Sequence, residues 1–264
     1  MNFLSEEYDR NLKWGTIRGY IPALSKYMAN VDMLEVRRLL RGAFNRRPPK
    51  KRYTAIWSVN IVLDFMASMI TTSLMDKTRK LVTILMLLSG NRVNMLSHMK
   101  ITNMYLTEGE CTFVFDEVLK QDRPNFDTSN LTYRAFPEFK VLCPVNAIKE
   151  YLEERLLLSG SESFLVTTTI PHHRPAASTI AGWIKEILGL AGIDSGKFTA
   201  HSCRSASTSN AYFQGISLKT ILKSASWKGD HTFKKHYLRE IESLYNQSEE
   251  NFGYSTLEAY IKVK

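Results

Sequence analysis

The chain has 264 residues, 44% apolar and 23% charged, an ordinary globular balance with length for one large domain, or one large and one small. Its 35 basic and 26 acidic residues leave a net charge of +9, which favours an anionic partner: nucleic acid, an acidic protein or a membrane surface. Cys111, Cys143 and Cys203 are odd in number, far apart and without a CxxC pair, which argues against a disulfide framework or a zinc site and for a reducing compartment.

At the start, MNFLSEEYDR is polar and acidic and does not read as a signal peptide. Thr16 to Asn30 and Met33 to Phe44 carry apolar residues at helical spacing. Two helices are few for a stable domain, so residues 1–45 are expected to be part of a larger helical unit. The run Asn45-Arg-Arg-Pro-Pro-Lys-Lys-Arg52 then reads as a basic linker over 46–52, because its prolines oppose a helix and its like charges repel. If the chain binds DNA, Arg46, Arg47, Lys50, Lys51 and Arg52 are the obvious electrostatic contribution. The same run also fits a solvated linker or a nuclear-localisation signal.

Beyond the linker, Ser58 can cap a helix carrying Ile61, Val62, Phe65 and Met66. Thr78 to Leu88 reads as a buried helix stopped near Ser89-Gly90, and its longest apolar run, Leu81 to Leu88, is too short to span a bilayer. Asn91 to His98 restarts helical spacing. Thr112 to Phe115 and Leu131 to Phe136 look like strands joined by the polar stretch Lys120 to Asn130. Pro144 opens a helix to about Leu158, and Phe164 to Thr168 is expected as a short strand. Helices are expected over Ser178 to Leu190, Ala200 to Phe213, Leu218 to Ser226 and Thr232 to Tyr245. The fold class is therefore mainly α with a small antiparallel β-sheet, and the protein is expected to be soluble and intracellular.

Four places carry candidate chemistry. Arg92 follows a Ser-Gly turn, and Lys120 lies beside a hairpin. His201 and Arg204 are three apart, and so share a face of one helix; Trp227 is followed by Tyr237. Two guanidiniums aimed at one point can clamp a phosphate, since each planar fork matches two phosphate oxygens. Such a clamp stabilises the extra charge of a phosphoryl-transfer transition state. Tyrosine is a weak nucleophile at neutral pH: with a pKa of about 10, about one part in 10³ is phenolate at pH 7, a penalty of roughly 4 kcal/mol that nearby cations can offset. A lysine can protonate a leaving alkoxide. Taken singly, each of these residues is also what a surface, a cap or a packed core supplies.

In order along the chain, the set resembles the tyrosine recombinase, or phage-integrase, superfamily: arginine, lysine on a β-hairpin, H-x-x-R, histidine or tryptophan, then tyrosine. The matching segments are SGNRVNML, FVFDEVLKQDRPN, TAHSCRSAS, SASWKGDHTF and KKHYLRE, and the similarity runs over roughly residues 52 to 245. The wording RYTAIWSVNIVLDF, HSCRSAS and SWKGDHTFKKHYLR is closest to the eukaryotic mobile-element branch of the Crypton kind. The resemblance implies a catalytic domain over 53–245 with a tail over 246–264, preceded by the N-terminal segment as a partial core-binding domain. It implies that Arg92 and Arg204 hold the scissile phosphate and that His201 hydrogen-bonds it and assists proton transfer. Lys120 would protonate the leaving 5′-hydroxyl, Trp227 would donate its indole N–H, and Tyr237 would form a 3′-phosphotyrosyl bond. No cofactor, metal or ATP is implied. The partners would be double-stranded DNA and further copies of the chain, as a tetramer on DNA; no membrane is expected, and the location would be nuclear if the source is eukaryotic.

Two features depart from the family pattern. Many relatives carry an acidic residue three positions after the first arginine, where this chain has Met95. The step from Trp227 to Tyr237 is ten residues, one longer than the nine common in bacterial relatives; a count of nine falls on His236, and the extra residue is expected in the loop Lys228-Gly-Asp230. Lys100 and Lys140 are alternatives for the lysine. A protein of the same fold that binds DNA without turnover, a protein-interaction module and a type IB topoisomerase are the competing functions.

Overall fold

A computed structural model describes residues 2–27, 33–49, 52–117, 130–158 and 160–242. The chain divides into two compact units, residues 1–52 and 53–264. The first holds three helices, α1 (Asn2–Asp9), α2 (Trp14–Tyr27) and α3 (Met33–Arg46). Leu4, Ile17 and Val36, one from each helix, form its small core. The apolar spacing predicts α2 and α3; α1 has few apolar positions and escapes it. The helix α3 also runs through Asn45 and Arg46, two residues expected in the linker run.

The second unit is built around α5 (Leu74–Ser89), whose Leu81, Val82, Ile84, Leu85 and Met86 are all buried. A helix apolar on every side belongs inside a core. It is packed by α7 (Pro144–Leu158), α8 (Ala177–Leu190) and α9 (Ser202–Phe213). Its start lies four residues before the expected one, at a capping box in which Ser73 Oγ accepts from the Asp76 amide and the Asp76 carboxylate accepts from the Ser73 amide. Before it, α4 (Val59–Ser68) follows Ser58. After it come α6 (Val93–Ser97) and an antiparallel three-stranded sheet ordered β2 (Met104–Leu106), β3 (Glu110–Phe113), β4 (Leu131–Arg134). The last helix of the compact set is α10 (Leu218–Ser224).

Two expectations fail. Phe164 to Thr168 is not a strand: Phe164, Leu165 and Val166 are all buried in succession rather than alternating, and Val166 N–H donates to Tyr151 Oη at 3.0 Å instead of to a ladder. Nor does one helix run from Thr232 to Tyr245. A short turn, Asp230–Thr232, passes into a π-turn, Phe233–Tyr237, after which the chain extends as β5 (Glu240–Ile241). This strand pairs in parallel with β1 (Ala55–Ile56), Ala55 opposite Glu240 and Ile56 opposite Ile241. Two-residue strands 185 positions apart leave no local periodicity to read. The buried Trp57 ties the same region to the start of α9, donating its indole N–H to Ser202 Oγ at 2.9 Å.

Candidate active site

The site begins at the turn that ends α5. Gly90 has φ +60°, a left-handed conformation that disfavours side chains. Space imposes the same choice, since a Cβ there would stand 2.9 Å from Thr208 Cγ2 and 3.7 Å from Ala225 Cβ. The turn therefore lies directly against α9 and the segment after α10. Asn91 Nδ2 donates to the Ser224 carbonyl at 2.6 Å, and Ser224 Oγ donates to the Ser89 carbonyl at 3.1 Å. Arg92 follows in extended conformation at the start of α6, half-buried. Met95 lies in the core.

The second cation comes from α9. Arg204 is fully buried, its Nη2 donates to the Ala225 carbonyl at 2.8 Å, and its Cζ stands 4.1 Å from the Trp227 ring centroid and 5.1 Å from that of Tyr237. Among the described residues no carboxylate pairs with it. Its Nε and Nη1, like the buried Nε1 of Trp227, have no hydrogen-bond partner there. Burial holds the Arg204 pKa down, to about 10; Tyr237 opposes that shift and the charge of Arg92 adds to it. Arg204 is still a cation at neutral pH.

Tyr237 closes the group. Its hydroxyl is 3.1 Å from His201 Nε2, and its ring lies 4.7 Å from that of Trp227 and 5.5 Å from that of His201. The π-turn is closed by the Leu238 N–H donating to the Phe233 carbonyl at 2.8 Å. A π-turn holds one more residue than an α-turn, and it stands within the ten-residue step from Trp227 to Tyr237, after the loop at 228–230. His236, the residue a nine-residue count reaches, is exposed. His201 is exposed as a residue, yet the protein packed against its ring holds its pKa below the usual imidazole value, and the charges of Arg204 and Arg92 add to this.

The structure thus brings together His201, Arg204, Trp227 and Tyr237, with the charge of Arg92 felt by both His201 and Arg204. Lys120, Lys50 and Lys51 lie outside the described residues. Lys100 forms ion pairs with Asp116 and Glu117, each at 3.0 Å, and Lys140 is exposed on a 3-10 turn, Pro137–Leu142. In the first unit, Arg46 and Arg52 are exposed, but Arg47 lies 3.5 Å from the Tyr8 ring centroid and donates to Asn11 Oδ1 and to the Tyr8 carbonyl. A phosphate would have to displace those contacts.

Residues that the motifs do not contain complete the surroundings. Ser205 and Ser209 of α9 both donate to the Tyr237 carbonyl, the latter at 3.0 Å. Lys219, Lys223 and Lys228 are exposed beside Trp227 around a hollow of about 650 Å³. The spacing of 219 and 223 on one helix face was the available signal. A separate apolar hollow of about 610 Å³, lined by Leu63, Leu87, Phe136 and Phe139 among others, contains none of the candidate residues. Among the described residues no group of three His, Cys, Asp or Glu side chains could hold a metal ion, and no helix is long and apolar enough to cross a membrane.

Comparison with known proteins gives a consistent family. The model of the phage integrase family matches residues 59–243. The fold is similar to the crystal structure of XerA recombinase, at 18% identity and TM-score 0.53, covering 94% of this chain and 95% of that one. It is also similar to XerH site-specific recombinase bound to difH substrate in a pre-cleavage complex, at 15% identity and TM-score 0.60, covering 88% of this chain and 64% of that one. A third similar structure is a lambda integrase dimer bound to a COC′ core site, at 16% identity and TM-score 0.53, covering 90% and 78%. No curated protein matches the sequence.

Two outcomes follow from this geometry. Gly90→Ala combines left-handed backbone strain with a contact on Thr208 Cγ2, and is expected to cost about 1–3 kcal/mol in urea unfolding. Adding Thr208→Ser, which removes that methyl, recovers part of the loss; no recovery would place the cost in the backbone alone. His201 is expected to titrate below the usual imidazole range when followed by NMR, and Arg92→Met is expected to move its titration upward, because a like charge that disfavours imidazolium is gone.

Proposed function

The chain belongs to the phage integrase family, and on that premise we propose that it is a site-specific DNA recombinase that cuts and rejoins double-stranded DNA through a covalent bond to Tyr237. The observation that carries this reading is the Tyr237 hydroxyl, 3.1 Å from the His201 imidazole and beside a buried guanidinium that no carboxylate among the described residues neutralises. A phosphodiester is the anion that suits such a place. It would accept from Arg204 and Trp227, whose buried donors are unpaired among the described residues, and from Arg92 across the turn.

In the proposed reaction the Tyr237 oxygen attacks phosphorus and the bond to the 5′-oxygen breaks. The phenolic proton passes to His201 Nε2, and a lysine protonates the leaving 5′-oxygen; Lys120 is the candidate from its place in the sequence. Arg92 and Arg204 stabilise the charge that grows on the phosphoryl oxygens, and the trigonal-bipyramidal state gains more from them than the ground state does. The phosphotyrosyl product is again a phosphodiester. The free energy of the broken bond is therefore retained, and a 5′-hydroxyl reverses the step without ATP. The motif wording around His201 and Trp227 supports a place in the Crypton-type mobile-element branch. Action as a tetramer on DNA, in the nucleus of a eukaryotic host, completes the proposal.

The flanking backbone would be met by Lys219, Lys223 and Lys228, which form no ion pair among the described residues, on the hollow beside Trp227. Arg46 and Arg52 would add contacts from the first unit.

The reaction is tested by incubating wild type and Tyr237→Phe with nicked duplex DNA of random sequence, denaturing, and analysing peptides by mass. A nucleotide adduct on the Tyr237 peptide, absent from the variant, is the expected result. DNA binding with no adduct on any peptide would instead indicate a DNA-binding protein without turnover. The lysine surface is read separately: replacing all three lysines by glutamine should reduce the slope of log affinity against log salt by about 2–3, at about 0.9 for each phosphate no longer neutralised. An unchanged slope would remove these lysines from the DNA surface.

A further inference from the structure

The positions 201, 205 and 209 recur every four residues and therefore lie on one face of α9. Each of them meets Tyr237. His201 Nε2 is 3.1 Å from its hydroxyl, and the hydroxyls of Ser205 and Ser209 both donate to its carbonyl oxygen. Ser209 Oγ in turn accepts from the Arg239 N–H at 3.0 Å, so one hydroxyl bridges the backbone on either side of Leu238. Both serines are buried, at 1% and 0% exposure, so water does not substitute for them.

Two features make this arrangement unusual for serines inside a helix. Such hydroxyls commonly bond back to the carbonyl four residues earlier, as Thr208 Oγ1 does to the Arg204 carbonyl at 2.6 Å. Ser205 and Ser209 instead reach across to another segment. The carbonyl they serve is one that a helix end leaves without an intrahelical donor. At Leu238 the backbone turns extended, with ψ 118°, so no further turn supplies that donor. Ahead of the π-turn, Phe233 is anchored in a cluster with Ile221, Ala225 and Trp227; behind it, β5 pairs with β1.

We propose that Ser205 and Ser209 are positioning residues that fix the Tyr237 main chain against α9, so that the phenol oxygen is held on His201. This rests on the reading of Tyr237 as the nucleophile. The same helix face then sets both ends of one residue.

The test uses the full chain and begins without DNA. With histidine ring nitrogens labelled, the Nε2 resonance of His201 is compared in wild type, Tyr237→Phe, Ser205→Ala, Ser209→Ala and the double alanine variant. The double variant is expected to move towards Tyr237→Phe, with the single variants between. On nicked duplex DNA, the rate of adduct formation at saturation should fall on the order of 100-fold in the double variant, as displacement of a reacting group by about 1 Å does. The DNA concentration giving half-maximal rate should stay within about twofold, since binding is not what the serines serve. Ser209→Thr, which keeps the hydroxyl, should retain most of the rate. If the double variant fails to fold, the single variants carry the same comparison. A His201 resonance and an adduct rate both unchanged on loss of either hydroxyl would overturn the proposal while leaving the recombinase reading intact. A shifted resonance in a protein whose wild type never forms an adduct would overturn the nucleophile's role, and with it the catalytic meaning of the contact.

Discussion

A buried guanidinium with no carboxylate beside it is the constraint around which this structure is arranged. Arg204 is wholly enclosed, and the described residues offer it one carbonyl, the Trp227 ring, the ring and hydroxyl of Tyr237, and no carboxylate. Taking an ion out of water is expensive unless it is paired. Two of its donor atoms are left unsatisfied, as is the indole of Trp227. A fold that keeps such a group needs its stability from elsewhere. It comes from α5 and the helices around it, whose closely packed apolar side chains make the second unit's core.

The rest of the site consists of backbone devices that bring distant segments to that charge. Gly90 lets the Arg92 turn touch α9 where no side chain fits. Asn91 and Ser224 stitch the same turn to the end of α10, and the Ala225 carbonyl one residue later receives Arg204. Thus the segment that accepts from Arg204 is also the one that locates Arg92. Burial is the main reason the pKa values of Arg204 and His201 are depressed, and repulsion from the neighbouring guanidinium charge adds to it.

How much of this was legible in the sequence follows from how local each feature is. The H-x-x-R pair, the Ser-Gly stop and the helical spacing of α4, α5, α7, α8 and α9 are short-range, and periodicity finds them. The second half of the Tyr237 segment is not of that kind. Its apolar residues Phe233, Leu238 and Ile241 suit a helix, yet the chain leaves the helix after Tyr237 because the Ser205 and Ser209 hydroxyls and strand β1 compete for its backbone. Tertiary hydrogen bonds override local preference there, and no window of the sequence contains both partners. The three consecutive buried residues at 164–166 mislead in the opposite sense, since an apolar run resembles a core strand while its amide bonds to a tyrosine hydroxyl. Lys120, which the resemblance implies to be a hairpin lysine, lies outside the described residues.

The charges around His201 bear on when Tyr237 can react, on the proposed reading. With the anion absent, the protein packed around the ring and then the charges of Arg204 and Arg92 disfavour the imidazolium, which makes the ring a weaker acceptor for the phenol's proton. A phosphodiester brings one negative charge to the same place. It offsets the field of the two guanidiniums at His201 and so raises the affinity of the ring for a proton, while the guanidiniums it engages stabilise the charge that develops as the phenol adds. Substrate binding and proton acceptance are then linked through one set of charges. The base is strengthened when the scissile phosphate is seated and not before. The same logic explains why a carboxylate beside Arg204 would be a poor substitute for the present arrangement. It would relieve the burial cost permanently, and with it both the demand for a phosphate and the change in His201 that the phosphate brings.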